Sequence, residues 1–395
     1  MNLFVGDPFV IYDNNSKKFF CYSTNDDLNS LHPKHFSIHE SDDGIKWKFV
    51  GYAYTEHKDS WAYDWFWAPE VYYNENNGYF YLFYSAKVKP ELLMKYFNDE
   101  KFFEGCKIGV LISKDPRGPF IDLANEPIDF YPHDAKYFDP FKYSDNPFAI
   151  HENLYNKYKK NNGVYVPTID VNLLFDENKI FMFLSRNAYK NLRFDVEYNR
   201  YIEESCTIGV ELNTDWWYDK KAKTMPTIKD EFKHEQKGIR KDSYINVLNY
   251  ENDKQSWENG SIFDFEVSKG KLTNRRWTEG TYCLAFNENG KKKYSLFYSS
   301  NNYQSVLYAI GVAFSDSPLG PYLKYEQNPI VHLSKEINIL STGHGSICKH
   351  DDDIFYYFHG REDIKDDRIL CRARISKLSS GDVEVKDIII CSLIK

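Results

Sequence analysis

The sequence predicts an all-β protein, a five-bladed β-propeller whose four-stranded antiparallel blades surround a central channel. The first observation is a repeat: a short apolar strand begins at five places along the chain. These strands start just after Asp7, Ala68, Asp170, Glu279 and His344. The second observation is that a turn and an aromatic-rich strand follow each of them. Self-similarity at a drifting period of this kind is typical of sheets repeated around a ring.

The later strands of each repeat complete the blades. The segment IGVLISKDPRGPF at 108–120 returns nearly unchanged as IGVAFSDSPLGPY at 310–322, and a weaker version stands at 206–215. The recurring unit is strand, turn, strand, loop, IGV strand and turn, which predicts four antiparallel strands in each blade. The innermost strands of a propeller all run the same way, so we expect the residues at their starts to converge on one end of the channel.

Three insertions make the spacing between repeats uneven. They lie near 88–105, 125–165 and 187–258, and the first reads as a loop with a short helix. Long loops inside a compact domain are usually functional, as lids or rims. Strand repeats resume on both sides of every insertion, so we predict a single domain over residues 1–395.

Composition narrows the partners and the compartment. The aromatic fraction is 17%, which favours sheet over helix. A formal net charge of −8 without a basic stripe argues against nucleic acid and favours a neutral, hydroxyl-rich ligand. No apolar run is long enough to span a bilayer, so no membrane partner is expected. The segment MNLFVGDPFV enters the first strand directly, without room for a signal peptide, which predicts a soluble cytoplasmic protein.

Other chemistries find no support in the sequence. The seven cysteines are widely spaced, odd in number and without a CxxC pair, so we interpret them as small buried hydrophobes. A G-x-S-x-G elbow, an H-E-x-x-H helix and a Walker A loop are all absent. What remains is the set of carboxylates at the strand starts, which suits an acid/base site better than a core.

An ordered series of motifs resembles the family 43 glycoside hydrolases. These are five-bladed β-propellers that remove arabinose or xylose from plant polysaccharides and their oligomers. Besides the two IGV segments, the motifs are GDPFV at 6–10, WAPEVYY at 67–73, ID at 169–170, TEGTY at 278–282, TGHGS at 342–346 and FHGRE at 358–362. They span essentially the whole chain in the family's order, which makes the resemblance specific.

The resemblance implies a role for each matching residue. Asp7 matches the general base that activates water, and Glu279 matches the general acid that protonates the leaving oxygen. Asp170 matches a third carboxylate that orients the acid and holds up its pKa. His344 matches a central histidine that contacts a metal ion or ordered water in the channel, and Arg361 resembles an arginine that touches the sugar. The sequence departs from the family at Val171 and Thr281, where proline is usual.

The chemistry of inverting hydrolysis suits these positions. It needs a carboxylic acid and a carboxylate roughly 6.5–9.5 Å apart, with water between the base and the anomeric carbon. Asp7 and Glu279 belong to the first and fourth repeats, which are not adjacent in a five-membered ring, so opposite walls of the channel can supply that gap. A like charge such as Asp170 would keep the acid protonated by raising its pKa.

Each of these residues also has a structural alternative. Asp7 and Asp170 can be turn residues that bond local backbone N–H groups. Glu279 can be an exposed edge residue in a charged stretch, and a lone histidine such as His344 is more often a satisfied core residue than a ligand. The glycines on both sides of His344 favour a close backbone approach and a functional role.

Two further positions are candidates for contact with the sugar. Arg361 follows a glycine at the end of an aromatic strand, and its alternative is a surface ion pair with Glu362 or Asp363. Trp67, with Trp65 before it, can wall the sugar site by stacking, or it can pack between blades as propeller aromatics often do.

We therefore predict an inverting glycosidase that releases a terminal pentose, α-L-arabinofuranose or β-D-xylose, from plant-type oligosaccharides. The expected catalytic residues are Asp7, Asp170 and Glu279, and the expected sugar contacts are Trp67, Arg361 and His344. No cofactor is expected to be required, although a structural calcium in the channel near His344 is an option. The alternatives are an endo-acting arabinanase of the same family and a non-catalytic propeller that binds sugars or other proteins. No feature of the sequence specifies an oligomeric state.

Overall fold

The computed structural model describes residues 1–97, 100–101, 105–128, 168–186, 192–195, 200–229, 245–250, 253–263, 272–333 and 338–394. Five sheets of antiparallel strands surround a central channel, and this confirms the predicted five-bladed propeller. The innermost strands of successive blades contact one another in sequence order, and the fifth contacts the first. The starts of these strands therefore meet at one end of the channel.

The blades follow one another along the chain, and strands are numbered in chain order. Blade 1 contains β1 (Gly6–Asp13), β2 (Lys18–Thr24), β3 (Lys34–Ser41) and β4 (Lys46–Thr55). Blade 2 contains β5 (Ala62–Asn74), β6 (Tyr79–Val88), β7 (Cys106–Ser113) and β8 (Ile121–Asp122). Blade 3 contains β9 (Thr168–Asp176), β10 (Lys179–Arg186), β13 (Cys206–Leu212) and β14 (Ile245–Leu248). Blade 4 contains β17 (Thr278–Glu288), β18 (Lys291–Ser300), β19 (Ala309–Ser315) and β20 (Leu323–Lys324). Blade 5 contains β21 (Leu340–His350), β22 (Asp353–Arg361), β23 (Ile369–Ser379) and β24 (Asp382–Ile390).

Packing between blades explains why the IGV phrase recurs. Every residue of β7, β13 and β19 is buried, because both faces of these third strands lie against other blades. The glycine of the phrase pairs across the sheet with an aromatic residue, Gly109 with Tyr84 and Gly311 with Tyr298. A Cβ on Gly311 would lie 2.8 Å from the Tyr298 ring, so the glycine makes room for the aromatic side chain.

One hydrogen bond repeats between neighbouring blades. The donor is the backbone N–H of a residue at the start of an inner strand, and this residue has the positive φ of the left-handed region. The acceptor is a side chain near the end of the second strand of the preceding blade. The left-handed residues are Asp7 (φ 47°), Ala68 (φ 48°), Asp170 (φ 54°), Gly280 (φ 55°) and His344 (φ 42°). Their acceptors, in the same order, are His359, Thr24, Ser85, Ser185 and Ser299. We call these five contacts the inter-blade links.

The links correct the alignment of the fourth repeat. Gly280, and not Glu279, is the equivalent of Asp7 and Asp170. Glu279 pairs with Ser299 across its own blade as Trp67 pairs with Ser85. The sequence analysis aligned Glu279 with Asp7 and Asp170 because all three carry a carboxylate. In the structure Glu279 lies one residue before that position, which Gly280 occupies. Trp67 and Glu279 therefore occupy equivalent positions in blades 2 and 4.

Both ends of the chain close the ring. The N–H of Leu3 donates to the carbonyl of Cys391, and the N–H of Val5 donates to the carbonyl of Arg368 just before β23. The short C-terminal strand β25 (Ser392–Leu393) pairs in parallel with β4, the outer strand of blade 1. Residues 1–5 and 391–394 thus lie along the seam between blades 5 and 1.

The insertions are partly described. A 3-10 turn (Pro90–Leu92) and a short helix (Leu93–Phe97) confirm the helical loop expected near 88–105. Most of the 125–165 insertion lies outside the described residues. The 187–258 region holds a one-turn helix (Asp215–Tyr218) and blade 3 strands.

The sequence did not predict one further sheet in this part of the chain. Its order is β11 (Leu192–Asp195), β12 (Arg200–Glu204), β16 (Leu272–Arg276) and β15 (Gly260–Phe263). The pairing of β12 with β16 is parallel, whereas its other two pairings are antiparallel.

Two composition-based expectations also have a structural counterpart. All seven cysteines lie within the described residues, and each is a buried free thiol. Among the helices that the structure describes, none combines the length and apolar character needed to cross a bilayer.

Candidate active site

Asp7 lies at the channel mouth among three basic side chains. Its Oδ1 atom is 2.7 Å from Nη1 of Arg368, 3.4 Å from Nδ1 of His344 and 3.6 Å from Nδ1 of His359. Thr24, on the neighbouring strand, also hydrogen-bonds to the carboxylate. The left-handed backbone of Asp7 is thus held from its N–H by His359 and from its side chain by these partners.

These neighbours decide the charge of Asp7. Burial alone would raise the pKa of this carboxyl, because it disfavours the charged form. The positive charge of Arg368 is the largest opposing effect, and together with His344 and the Thr24 hydrogen bond it outweighs burial and holds the pKa well below its ordinary value. Asp7 is therefore a carboxylate at neutral pH, as a general base must be.

Asp170 faces the same end of the channel from blade 3. Its Oδ2 accepts a hydrogen bond of 3.2 Å from the N–H of Gly280, the residue that follows the acid candidate. Burial raises the pKa of Asp170, and the charge of Asp7 adds to this effect, whereas His344, Ser185 and Gly280 oppose it. The position next to Gly280 suits the orienting role expected from the sequence.

Glu279 is 6% exposed and lies in blade 4. The hydroxyl of Tyr308 donates a hydrogen bond of 2.9 Å to its Oε1 atom. Burial raises the pKa of Tyr308 well above its usual value, and the charges of Glu279, Asp7 and Asp170 raise it further. Tyr308 therefore remains a donor, and its hydroxyl lies close enough to all three carboxyl groups to be affected by them.

The structure gives two arginines different surroundings. Arg368, which the sequence analysis did not select, pairs directly with Asp7. Arg361 instead donates from Nη1 to the carbonyl of Asp366, in the loop that leads to Arg368. The expected contact between Arg361 and a sugar stays a prediction, while the guanidinium beside Asp7 belongs to Arg368.

His344 and Trp67 lie where the repeat places them. The His344 ring packs against Gly280, where a Cβ would stand 2.7 Å from its Cγ atom, and its N–H bonds to Ser299. The Trp67 ring is partly exposed and stacks on Trp65 with a centroid distance of 4.8 Å and an interplanar angle of 11°. Trp67 adjoins Ala68, whose methyl group is the smallest side chain among the four strand starts that carry one, so the stacked tryptophans lie beside a position without a reactive group.

The donor set around His344 does not resemble a calcium site. Among the residues that the structure describes, no three His, Cys, Asp or Glu side chains are grouped as metal ligands. Calcium prefers oxygen ligands. The carboxylate nearest to His344 is Asp7, which already pairs with Arg368. The described residues thus give no support to a calcium ion in the channel, which stays a prediction from the resemblance alone.

Side chains fill the channel beneath the site. Phe9 of blade 1 contacts Tyr282 of blade 4 with a centroid distance of 6.2 Å, a contact that crosses the channel between non-adjacent blades. Tyr72 contacts Phe9 from blade 2 and donates to the buried carboxyl of Glu70. A cavity of about 620 Å³ lies beyond them, at the turns that end the inner strands. These aromatic side chains lie between the cavity and the end of the inner strands that carries Asp7.

Comparison with known protein families gives a match to the glycosyl hydrolases of family 43, over residues 1–182 and 231–374. This chain belongs to family 43. The match spans most of the sequence and includes the strands that carry Asp7, Asp170 and Glu279. The family resemblance inferred from the motifs is therefore confirmed, and the protein is a glycoside hydrolase by family.

Solved structures of other proteins share the family 43 fold. The chain is 23% identical to an endo-1,4-beta-xylanase from Bacteroides thetaiotaomicron, with a TM-score of 0.63 over 100% of this chain and 98% of the other. It is 18% identical to an endo-arabinase from the same organism, with a TM-score of 0.56 over 96% of each chain. It is 14% identical to an alpha-L-arabinofuranosidase from Lactobacillus brevis, with a TM-score of 0.56 over 97% and 94%. Comparison with curated proteins finds no match.

Sequence reasoning about this family 43 protein missed three site residues. Arg368 and Tyr308 precede third strands, whereas the search followed the starts of inner strands. His359 could have been found, because it lies near the end of the second strand of blade 5, where the other four blades have serine or threonine. That break in the repeat is visible in the sequence once the second strands are aligned.

Proposed function

We propose that this family 43 protein is an inverting, exo-acting glycosidase that releases a terminal α-L-arabinofuranose or β-D-xylose. Asp7 is the general base, Glu279 the general acid and Asp170 the residue that orients the acid. The observation that carries the proposal is the ion pair between Arg368 and Asp7 at the mouth of a channel that Glu279 enters from a non-adjacent blade.

The proposed reaction is a single displacement. Asp7 accepts a proton from a water molecule as the water oxygen attacks the anomeric carbon. Glu279 gives its proton to the glycosidic oxygen as the bond between that oxygen and the anomeric carbon breaks. The products are a pentose of inverted anomeric configuration and the shortened oligosaccharide. Ionised Asp7 and a carboxylic acid on the opposite wall are the two protonation states that this step requires.

The proposal of a pentose substrate is supported by the names of proteins whose solved structures share this fold. Solved structures with this fold include proteins described as a xylanase, an arabinanase, an arabinofuranosidase and a xylosidase, whose names all refer to arabinose or xylose. The closed channel floor and the wall formed by Trp65 and Trp67 favour a pocket for one terminal sugar. Hydrolysis of internal bonds in polymeric arabinan would contradict exo action.

Two substitutions test the assigned base and acid. Asp7→Asn and Glu279→Gln should each lower kcat on a xylo- or arabino-oligosaccharide by about 100-fold or more, because general acid–base catalysis contributes roughly 10²–10⁴-fold. Asp176→Asn is the control, since Asp176 is the last residue of β9 and lies at the opposite end of that strand from Asp170. Full turnover in Asp7→Asn would refute the assigned base.

Stereochemistry and substrate choice complete the test. Proton NMR of the first-formed anomer should show inversion, and a retained configuration would exclude single displacement. Assays with p-nitrophenyl α-L-arabinofuranoside and p-nitrophenyl β-D-xyloside compare the two pentoses. A non-catalytic sugar-binding propeller would bind these glycosides without hydrolysis, and Asp7→Asn would leave that affinity unchanged.

A further inference from the structure

His359 breaks the five-fold pattern of inter-blade links. Four links end on a hydroxyl, from Thr24, Ser85, Ser185 or Ser299, and the fifth ends on this imidazole. His359 is fully buried, and in the part of the chain that the structure describes its Nε2 atom has no hydrogen-bond partner. A buried polar atom without a partner costs free energy, so a serine would satisfy this link at lower cost. The histidine therefore does something that a hydroxyl cannot do.

The face of the His359 ring supplies the difference. It stacks on the ring of Tyr308, with a centroid distance of 5.8 Å and an interplanar angle of 15°. Tyr308 in turn donates its hydroxyl hydrogen to Oε1 of Glu279. Gly343 leaves the space for this tyrosine, because a Cβ there would collide with the Tyr308 ring.

A continuous bridge thus runs from the base to the acid. His359 Nδ1 accepts a hydrogen bond of 3.3 Å from the backbone N–H of Asp7, its ring holds Tyr308, and Tyr308 holds Glu279. We propose that His359 and Tyr308 are positioning residues that fix the acid relative to the base. The inference rests on the proposed roles of Asp7 and Glu279 and adds two residues to which no role has been assigned.

The histidine acts as a neutral ring. Because Nδ1 accepts the N–H of Asp7, the proton of the imidazole resides on Nε2. Burial lowers the pKa of His359 well below its usual value, and the charge of Arg368 lowers it further, although Asp7 acts in the opposite sense. The ring therefore acts on Asp7 through its hydrogen bond and on Tyr308 through its face, while Arg368 supplies the positive charge beside the carboxylate.

Tyr308 determines which oxygen of Glu279 acts as the acid. Since the tyrosine donates to Oε1, the proton that Glu279 transfers resides on Oε2. Once that proton has moved to the leaving oxygen, the same hydrogen bond stabilises the new carboxylate. Loss of Tyr308 or of its support should therefore slow the reactions that depend most on proton donation.

Substrates with different leaving groups separate positioning of the acid from general damage. Hydrolysis of a phenyl glycoside of the preferred pentose needs proton donation from Glu279, because phenolate is a poor leaving group. Hydrolysis of the 2,4-dinitrophenyl glycoside needs almost no proton donation, because 2,4-dinitrophenolate is a good leaving group. Tyr308→Phe removes the hydroxyl, and His359→Ser restores the hydroxyl link of the other blades while removing the stacking surface. Tyr54→Phe and His39→Ser are matched controls at buried positions on β4 and β3, the outer strands of blade 1, and Tyr54 also donates to a carboxylate, that of Asp122.

We expect both site variants to lower kcat on the phenyl glycoside by about 10- to 100-fold, the cost of a misplaced catalytic group. Their kcat on the 2,4-dinitrophenyl glycoside should fall less than about 3-fold, and KM should change little. The double variant should lose no more than the worse single variant, because both act through Glu279. The controls should match the wild type on both substrates.

Two results would overturn the inference. Equal losses on both glycosides would mean that His359 and Tyr308 only maintain the fold, and melting temperatures would show it. Wild-type rates in His359→Ser would mean that the stacking surface is dispensable. Neither result would affect the proposed function, which fails instead if Glu279→Gln remains fully active or the wild type retains configuration.

Discussion

Arg368 and Asp7 form an ion pair across the seam where the propeller closes, with Nη1 of the arginine 2.7 Å from Oδ1 of the aspartate. Asp7 begins the first inner strand, and Arg368 directly precedes the third strand of the last blade. The pair is partly shielded from solvent, with 20% of the Arg368 side chain and 12% of the Asp7 side chain exposed. Closure of the ring therefore brings Asp7, the proposed base, and its counter-ion together.

Removal of this counter-ion should move the acid limb of the pH profile. Arg368 favours the charged form of Asp7, so Arg368→Met should raise the pKa of Asp7, which must be ionised to act as a base. The acid limb of kcat/KM should shift to higher pH by about one unit or more, the usual effect of a close opposite charge. Initial rates measured from pH 8 down to the lowest pH at which both proteins stay folded compare the two limbs independently of the absolute rate.

Arg361→Met is the matched control for that experiment. It removes a neighbouring guanidinium that bonds to the Asp366 carbonyl instead of Asp7, so the limb should stay in place. A rise in KM in this variant would support the sugar contact predicted for Arg361. An unmoved limb in Arg368→Met would contradict the electrostatic account of Asp7.

Gly280 should tolerate no side chain because the space beside it is filled, and Gly290 is the matched glycine with open space beside it. Both glycines are left-handed, with φ of 55° and 79°, so alanine costs each about 1 kcal/mol of backbone strain. A Cβ on Gly290 meets nothing within 4 Å, whereas one on Gly280 lies 2.7 Å from the His344 ring. Gly290→Ala should lower the free energy of unfolding slightly and leave kcat unchanged. Gly280→Ala should lose more stability and most of its activity, as urea unfolding and initial rates would show; equal behaviour of the two variants would refute the steric argument.

Glu70 should make stability depend on pH. Burial raises the pKa of this carboxyl well above 4.5, and the charge of Asp170 adds to the rise, although bonds from Tyr72 and Asn172 oppose it. The folded chain then holds a proton that the unfolded chain releases, so stability is full below about pH 4.5 and is lost as pH rises toward the folded pKa. A pKa that is higher by one in the folded chain corresponds to a loss of about 1.4 kcal/mol of stability.

Glu70→Gln removes that loss because glutamine does not titrate. The free energy of unfolding of Glu70→Gln, relative to the wild type, should increase between pH 5 and pH 8. Glu75→Gln, in the turn that follows the same strand, should show a constant difference. A constant difference for Glu70→Gln as well would mean that Glu70 is ionised in the folded protein.

Much of the fold was predictable because propeller repeats are local. Each strand and turn is encoded within its own segment, so five aligned segments predict five blades without any long-range information. The carboxylates of Asp7 and Asp170 followed directly, since strand starts must converge. The misalignment of Glu279 arose because a carboxylate and a glycine compete for one position in the TEGTY motif, and only the left-handed backbone of Gly280 decides between them.

Arg368 and Tyr308, which sequence reasoning missed, occupy positions that the repeat does not mark. Arg368 reaches Asp7 only because the last blade meets the first, a contact between residues 361 positions apart. Tyr308 reaches Glu279 from the start of a third strand, a location that the repeat does not mark. The sheet formed by β11, β12, β15 and β16 escaped prediction because its central strands pair in parallel across about 70 residues of chain.

The meeting of the two chain ends has a topological consequence. The N–H of Leu393 donates a hydrogen bond of 2.8 Å to the carbonyl of Met1, so a short linker could join the two ends without moving any blade. A circularly permuted chain, opened for example in the exposed turn at Gly290, would keep every strand pairing and lose only the covalent connection between β17 and β18. The same ring of five blades could therefore form from a chain that begins with a different blade.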